Sequence, residues 1–230
     1  MARLRSKERP LVTLVGAMTL DGKIASRTGD SQISSKKDLK TLHRLRSRND
    51  AIMIGIGTLL QDDPRLTVRL VNGRSPIRVI VDSSARTPPT SRIFKKGPTV
   101  IIAVTKSAPW KRVEALKRAG ARILRAGNNQ INLLTLLTQL YRLGIKRILL
   151  EGGGNMNWSM ISNGLVDNIT VTVAPMVIGG SHATTLVEGD GVTKIKQAIN
   201  LVLTEARRQS NEIVLTYKVT STRPRRSKSA

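Results

Sequence analysis

The chain has no cysteine, two tryptophans, two tyrosines, one phenylalanine, two histidines and only 15 acidic residues among 230. Without cysteine there is no disulfide scaffold, no thiolate metal site and no cysteine nucleophile. His43 and His182 are far apart, so no metal site is expected. Scarce aromatics argue against a surface that stacks nucleic-acid bases. No apolar segment reaches the length of a membrane span, and no apolar signal core follows Met1. The expectation is a cytoplasmic protein with neither membrane nor nucleic-acid partner.

Basic residues are plentiful. Lys and Arg number 39, for a net charge of +24. The first nine residues and the RPRRSK tail hold part of this excess, and both ends (1–9 and 220–230) are expected to be basic and flexible. The charge that remains on the body suits attraction of phosphorylated ligands.

The length fits one domain, expected over 10–219. Apolar, β-branched runs predict strands over 10–17, 51–56, 77–81, 99–104, 121–124 and 147–150. Helices are predicted from a Ser34 or Ser35 cap to about Asn49, and over 111–119, 131–143 and 155–162, with Gly120 and Gly144 as stops. Leu39, Leu42 and Leu45 mark the expected buried stripe of the first helix. Strands then follow over 168–173, 201–206 and 212–219, the last two as an antiparallel hairpin at one edge. Alternation of strand and helix implies a largely parallel α/β sheet covered on both faces.

Three segments carry candidate chemistry. In GIGTLLQDDPRLTVR (55–69), a strand runs into a polar loop with a hydroxyl, adjacent carboxylates and two arginines. Guanidinium forks match phosphate, although a surface loop of ion pairs has the same composition. In LLEGGGNM (149–156), a strand ends in three glycines before a helix. That is a pyrophosphate cradle or a tight structural turn, and it is neither GxGxxG nor a P-loop. In MTLDGKIA (18–25), Asp21-Gly22 signals a hairpin turn, followed by Lys23.

Taken in this order and spacing, MTLDGKIA, LRSRNDAIMIGIGTLLQDDPRLTVR, RVIVDSSARTP and LLEGGG resemble the riboflavin-biosynthesis pyrimidine reductases, as does LVDNITVTVAPMVIGG. The resemblance spans about Pro10 to Val219. It implies a dihydrofolate reductase-like α/β fold, a mixed and mostly parallel sheet flanked by helices, with the antiparallel hairpin at the C-terminal end. It also implies a homodimer. Many bacterial members are fused to a zinc deaminase, whose metal site needs cysteines this chain lacks. The similarity is therefore to the free-standing archaeal or fungal type, which uses NADPH to reduce the ribosyl group of 2,5-diamino-6-ribosylamino-4(3H)-pyrimidinone 5′-phosphate.

By that resemblance Ala17, Thr58, Asp62 and Ser83 line the NADPH site, and Gly153, Gly154, Asn155 and Met156 wrap its pyrophosphate. Ser31, Arg46, Leu66 and Arg69 would hold the sugar-phosphate end of the substrate. Lys23 and Glu151 are the candidates for proton and polar work at the reacting carbon, with Glu151 also positioning substrate. NADH use, the deaminated uracil substrate, a folate or pterin substrate and, from another class, nucleic-acid binding are the alternatives.

Overall fold

The structure, a computed structural model, describes residues 8–95 and 97–220. Their order is β1 (Leu11–Thr19), α1 (Lys36–Ser47), β2 (Ala51–Gly55), α2 (Ile56–Asp62), β3 (Ile77–Val81), β4 (Val100–Val104), α3 (Trp110–Arg118), β5 (Ala121–Arg125), α4 (Leu133–Arg142), β6 (Arg147–Leu150), α5 (Gly154–Ser162), β7 (Asn168–Ala174), β8 (Leu201–Gln209) and β9 (Glu212–Val219). Among the described residues nine strands form one sheet, ordered β5-β4-β3-β2-β6-β1-β7-β9-β8. The first seven in sequence run parallel to one another, and β9 turns antiparallel to β7 and to β8. The expected α/β class, its mixed sheet and its C-terminal hairpin are all present.

The central strands are apolar on both faces because helices cover both. On one side α4 and α5 bury Leu136, Leu137, Leu140 and Met160 against Val12, Leu14 and Leu150. On the other, α2 and α3 bury Leu59, Val113 and Leu116 against Ile52, Ile54, Ile80 and Ile102. Strand β6 lies between β1 and β2, so the β1–α1–β2 crossover steps over it. An open α/β sheet binds ligands where its strand order switches in this way, beyond the carboxyl ends of the strands.

Helix α1 differs from its expected form. Leu39 is exposed, Leu42 and Leu45 are half-buried, and the fully buried residues are Asp38, His43 and Arg46. The helix therefore lays a polar face, not a leucine stripe, onto the sheet. Ser35 caps it through Asp38 N at 3.1 Å, and Glu212 fixes Ser35 Oγ at 2.8 Å, which pins the helix start to β9. A second correction concerns the segment after β2. It is not a loop from Gly55 onward: residues 56–62 form α2, and the chain becomes irregular only at Asp63, which is left-handed at φ 37°.

The Asp21-Gly22 turn forms, but no hairpin follows it. Lys23 makes an isolated bridge to Thr185 instead. Arg9, expected in a flexible end, is held by the Asp167 carboxylate at 2.7 and 2.8 Å, and Thr220 N bonds Asn200 O at 3.1 Å. Residues 1–7 and 221–230, the rest of the expected basic ends, lie outside the described residues.

The burial of the leucines sets their worth. Leu140→Ala, at a fully buried site, is expected to cost about 2–5 kcal/mol, and Leu39→Ala within about 0.5 kcal/mol, in urea unfolding.

Candidate active site

The carboxyl ends of β1, β2, β3 and β6 converge on one edge of the sheet. Glu151 N donates to Met53 O at 3.0 Å, and Gly55 N to Gly152 O at 2.9 Å, so the chain beyond β6 stays zipped to β2. Gly152 is left-handed at φ 92°, the Gly152–Gly153 peptide is cis, and α5 starts at Gly154 without any side-chain cap. The backbone N–H groups of that first turn, with the helix dipole, offer a site for an anion. Glycine is required here by close approach. A Cβ on Gly153 would lie 3.1 Å from Thr58 Oγ1, and one on Gly154 would lie 2.7 Å from Thr185 O. Thr58, Gly153, Gly154, Asn155 and Met156 are thus brought together, and Met156 also packs 3.3 Å from where a Cβ on Gly55 would be.

Ser83 follows β3, where its carbonyl accepts from Thr105 N at 3.1 Å and Thr105 Oγ1 at 2.8 Å. Asp62 closes α2, and desolvation raises its pKa above the ordinary carboxylate value. Ala17 is near the end of β1, in register with Thr172.

Arg46 reaches Glu151 in a bidentate pair, Nε to Oε1 at 2.8 Å and Nη2 to Oε2 at 2.6 Å. Its remaining nitrogen donates to Thr67 O at 3.1 Å. Desolvation opposes the charge on Arg46, but the facing Glu151 outweighs it and raises the pKa. These bonds use three of the five guanidinium N–H donors and let Arg46 orient Glu151 and the 63–70 segment.

Arg69 is exposed and bonds Thr67 Oγ1 at 2.7 Å. Its pKa is lowered by desolvation first and then by the charges of Arg46, Arg65 and Arg92. The ion pairs formed among the described residues include none of Arg65, Arg69 and Arg92. Their charges therefore stand together without a facing carboxylate among the described residues. Leu66, left-handed at φ 49° and buried, anchors the segment in the core. Ser31 is exposed and its carbonyl accepts from Ile33 N at 2.8 Å, so no recorded contact joins it to the arginines. Lys23 Nζ donates to Ala183 O at 3.1 Å, held by the 175–191 segment and sharing no partner with Glu151.

Several further residues shape this edge of the sheet. Asp38 is buried and accepts from Thr172 Oγ1 at 2.6 Å. With β1, β7 and Glu151 it lines a cavity of about 120 Å³ under α1. Its helical spacing from Leu42 and Arg46 was the available signal. Asn157 is buried, donates to Leu186 O at 2.7 Å and leaves Oδ1 unpartnered. Glu188 N bonds Gly154 O at 3.1 Å, which lays the 175–191 segment against the cradle. His43 Nδ1 accepts from Arg69 N at 2.8 Å and Leu70 N at 3.3 Å. Nothing in the sequence announces these long-range partners.

An uncapped helix terminus beside the strand ends, a buried ion pair and a cationic segment define a class: an α/β domain with its candidate ligand site at the carboxyl edge of the sheet. Comparison with known proteins gives the family. Residues 10–215 match the RibD C-terminal domain model, and the chain belongs to that family. It is 46% identical over 214 residues to the 2,5-diamino-6-ribosylamino-4(3H)-pyrimidinone 5′-phosphate reductase of Methanothermobacter thermautotrophicus, covering 92% of this chain and 99% of that one. It superposes on RibD of Acinetobacter baumannii with a TM-score of 0.83 at 27% identity, covering 94% of this chain and 59% of that one. A dihydrofolate reductase from Enterococcus faecalis shares the fold, with a TM-score of 0.52 at 12% identity over 92% of this chain and 97% of that one.

Two outcomes follow from the geometry. Glu151→Ala strands the buried Arg46 charge and is expected to cost about 3–5 kcal/mol in denaturant unfolding, whereas Glu151→Gln keeps an acceptor and costs less. Burial, with Arg46 and Arg69, lowers the His43 pKa from 6.5 to about 4. Because the folded value is the lower one, His43 supports the fold fully above pH 6.5, and this support is lost as pH falls towards 4. His43→Asn, whose Oδ1 replaces Nδ1 as acceptor, should remove on the order of 1–2 kcal/mol of the stability loss over that range.

Proposed function

We propose that this chain uses NADPH to reduce the ribosyl group of 2,5-diamino-6-ribosylamino-4(3H)-pyrimidinone 5′-phosphate to the ribitylamino product, in the cytoplasm, as an early step of riboflavin biosynthesis. One observation carries the reading. Glu151 stands at the end of β6 between an uncapped helix terminus suited to a dinucleotide and an arginine cluster suited to a sugar phosphate. The name of the 46% identical relative supports it independently.

Ring opening of the ribosylamine gives an imine whose C1′ is electrophilic. A bound dihydronicotinamide supplies the hydride that C1′ accepts, and one proton completes the ribitylamine. The chain provides the rest. Gly153 to Met156 and Thr58 cradle the pyrophosphate, with Ala17, Asp62 and Ser83 along the same edge. Arg69 and Ser31 hold the phosphate end, with Leu66 fixing the segment that carries Arg69 and Arg46 fixing Glu151. Glu151 orients the opening sugar, and Lys23 delivers the proton. Loop 175–191 excludes water.

A second copy of the chain completes the protein as a homodimer. Leu201, Val202 and Leu203 stand about half-exposed at the start of the edge strand β8, apolar side chains that a partner would cover.

Absorbance at 340 nm tests the reaction. NADPH is expected to be consumed with the diaminated pyrimidinone phosphate, faster than NADH and faster than with dihydrofolate. Lys23→Met is expected to lower kcat about 100-fold or more with an unchanged melting temperature. Oxidation with dihydrofolate alone would contradict the proposal. For the dimer, Leu203→Glu should halve the mass seen in sedimentation.

A further inference from the structure

Residues 67–70 belong to no helix or strand, and side chains from elsewhere hold their backbone. Val68 N donates to Ser75 Oγ at 2.9 Å. Arg69 N and Leu70 N both donate to Nδ1 of His43, at 2.8 and 3.3 Å. Thr67 O accepts from Arg46 at 3.1 Å. His43 and Arg46 stand three residues apart, so one face of α1 grips the segment by two N–H groups and a carbonyl. Only 2% of His43 is exposed. Its Nδ1 accepts only in the neutral ring, with the proton on Nε2. Burial and the charges of Arg46 and Arg69 keep the ring neutral, against the opposing pull of Glu151. The residue held in this way carries an exposed guanidinium that also feels Arg46, Arg65 and Arg92. Like charges so grouped repel, and the His43 bonds hold the backbone against that repulsion.

We infer that His43 is a positioning residue for the substrate phosphate: it fixes the backbone of Arg69 so that the guanidinium meets the phosphate, and does not touch the ligand itself. The inference rests on the proposed function above, which gives Arg69 that phosphate. The chemistry of the acceptor explains why an imidazole stands there. A carboxylate at position 43 would accept from the same two N–H groups, but it would also pair with Arg46 or Arg69 and so compete with Glu151 and with the phosphate. A lysine or arginine has no acceptor. A neutral imidazole supplies the acceptor and adds no charge. Without it the two N–H groups turn to water, and Arg69 meets the phosphate in only a fraction of molecules. Apparent affinity then falls by that fraction, while the chemistry at C1′ is untouched. Binding lost equally from ground and transition states raises KM and leaves kcat nearly as it was.

The test is steady-state kinetics with the phosphorylated substrate and with its dephosphorylated nucleoside, at saturating NADPH. His43→Leu fills the space without an acceptor. It is expected to raise KM for the phosphate about 10-fold or more and to change kcat by less than about 3-fold. His43→Asn, whose Oδ1 takes the place of Nδ1, should restore most of the lost affinity. With the nucleoside the penalty should vanish, because the anchored group is missing. An equal rise in KM for both compounds, a fall in kcat at unchanged KM, or a His43→Asn as impaired as His43→Leu overturns the inference. A wild type that prefers the phosphate while His43→Leu leaves its KM unchanged overturns the inference alone. Equal wild-type KM values for the two compounds refute Arg69 as the phosphate anchor, and the inference with it. Should His43→Leu not fold, His43→Gln, whose acceptor reaches one bond further, serves the same comparison. Calorimetric titration with ribose 5-phosphate repeats it without turnover, and so stands even if the proposed reaction fails. Wild type and His43→Asn are expected to bind about 10-fold more tightly than His43→Gln. Equal binding, or no binding by the wild type, overturns the inference.

Discussion

The ion pair between Arg46 and Glu151 is the constraint on which the site depends. It joins the last turn of a helix to the end of a strand 105 residues later, with both side chains at about 10% exposure. Two charges taken so far from water are tolerated only with matched geometry, and the fork of Arg46 against both oxygens provides it. The third nitrogen of Arg46 extends the pair to Thr67, so one guanidinium sets α1, β6 and the arginine-bearing segment relative to one another. The glycine turn before α5 begins one residue beyond Glu151, and Glu151 also lines the cavity under α1, so both features are positioned from the same carboxylate.

Around that pair the fold divides its labour by polarity. The faces packed by α4, α5, α2 and α3 are apolar and supply the burial that holds the sheet. Helix α1 instead lays Asp38, His43 and Arg46 against the sheet, each with a defined partner: Thr172, the Arg69 and Leu70 backbone, and Glu151. A polar helix face is costly to bury, and its partners must all be met at once. What it gains is orientation: three side chains fixed against defined partners. The neutral His43 belongs to the same logic, because its Nδ1 must stay an acceptor to hold the turn at Arg69.

Much of this was legible in the sequence. Strands buried on both faces announce themselves as β-branched runs, so β2, β3, β4 and β6 fell within a residue or so of their expected bounds. Gly152 to Gly154 before α5 read as either a pyrophosphate cradle or a tight turn, and the structure shows the close approach that requires glycine at 153 and 154. Helix α1 was misread for a physical reason. Its leucines follow helical spacing, but spacing shows a periodic face and not which face the tertiary structure buries. Arg46 was legible as a residue near that face, but its partner lies 105 positions away, beyond any local pattern. The same holds for Asp38 and Thr172, separated by 134 positions. The α2 helix was hidden by the density of polar residues in QDDPR, which read as loop.

A crystal structure of the chain with NADP and the ribitylamino product tests the central claim most directly. The account predicts that the Arg46–Glu151 pair stays closed, that the sugar lies beside Glu151, and that the phosphate meets Arg69. An Arg46 swung away from Glu151 to grip the phosphate would contradict it.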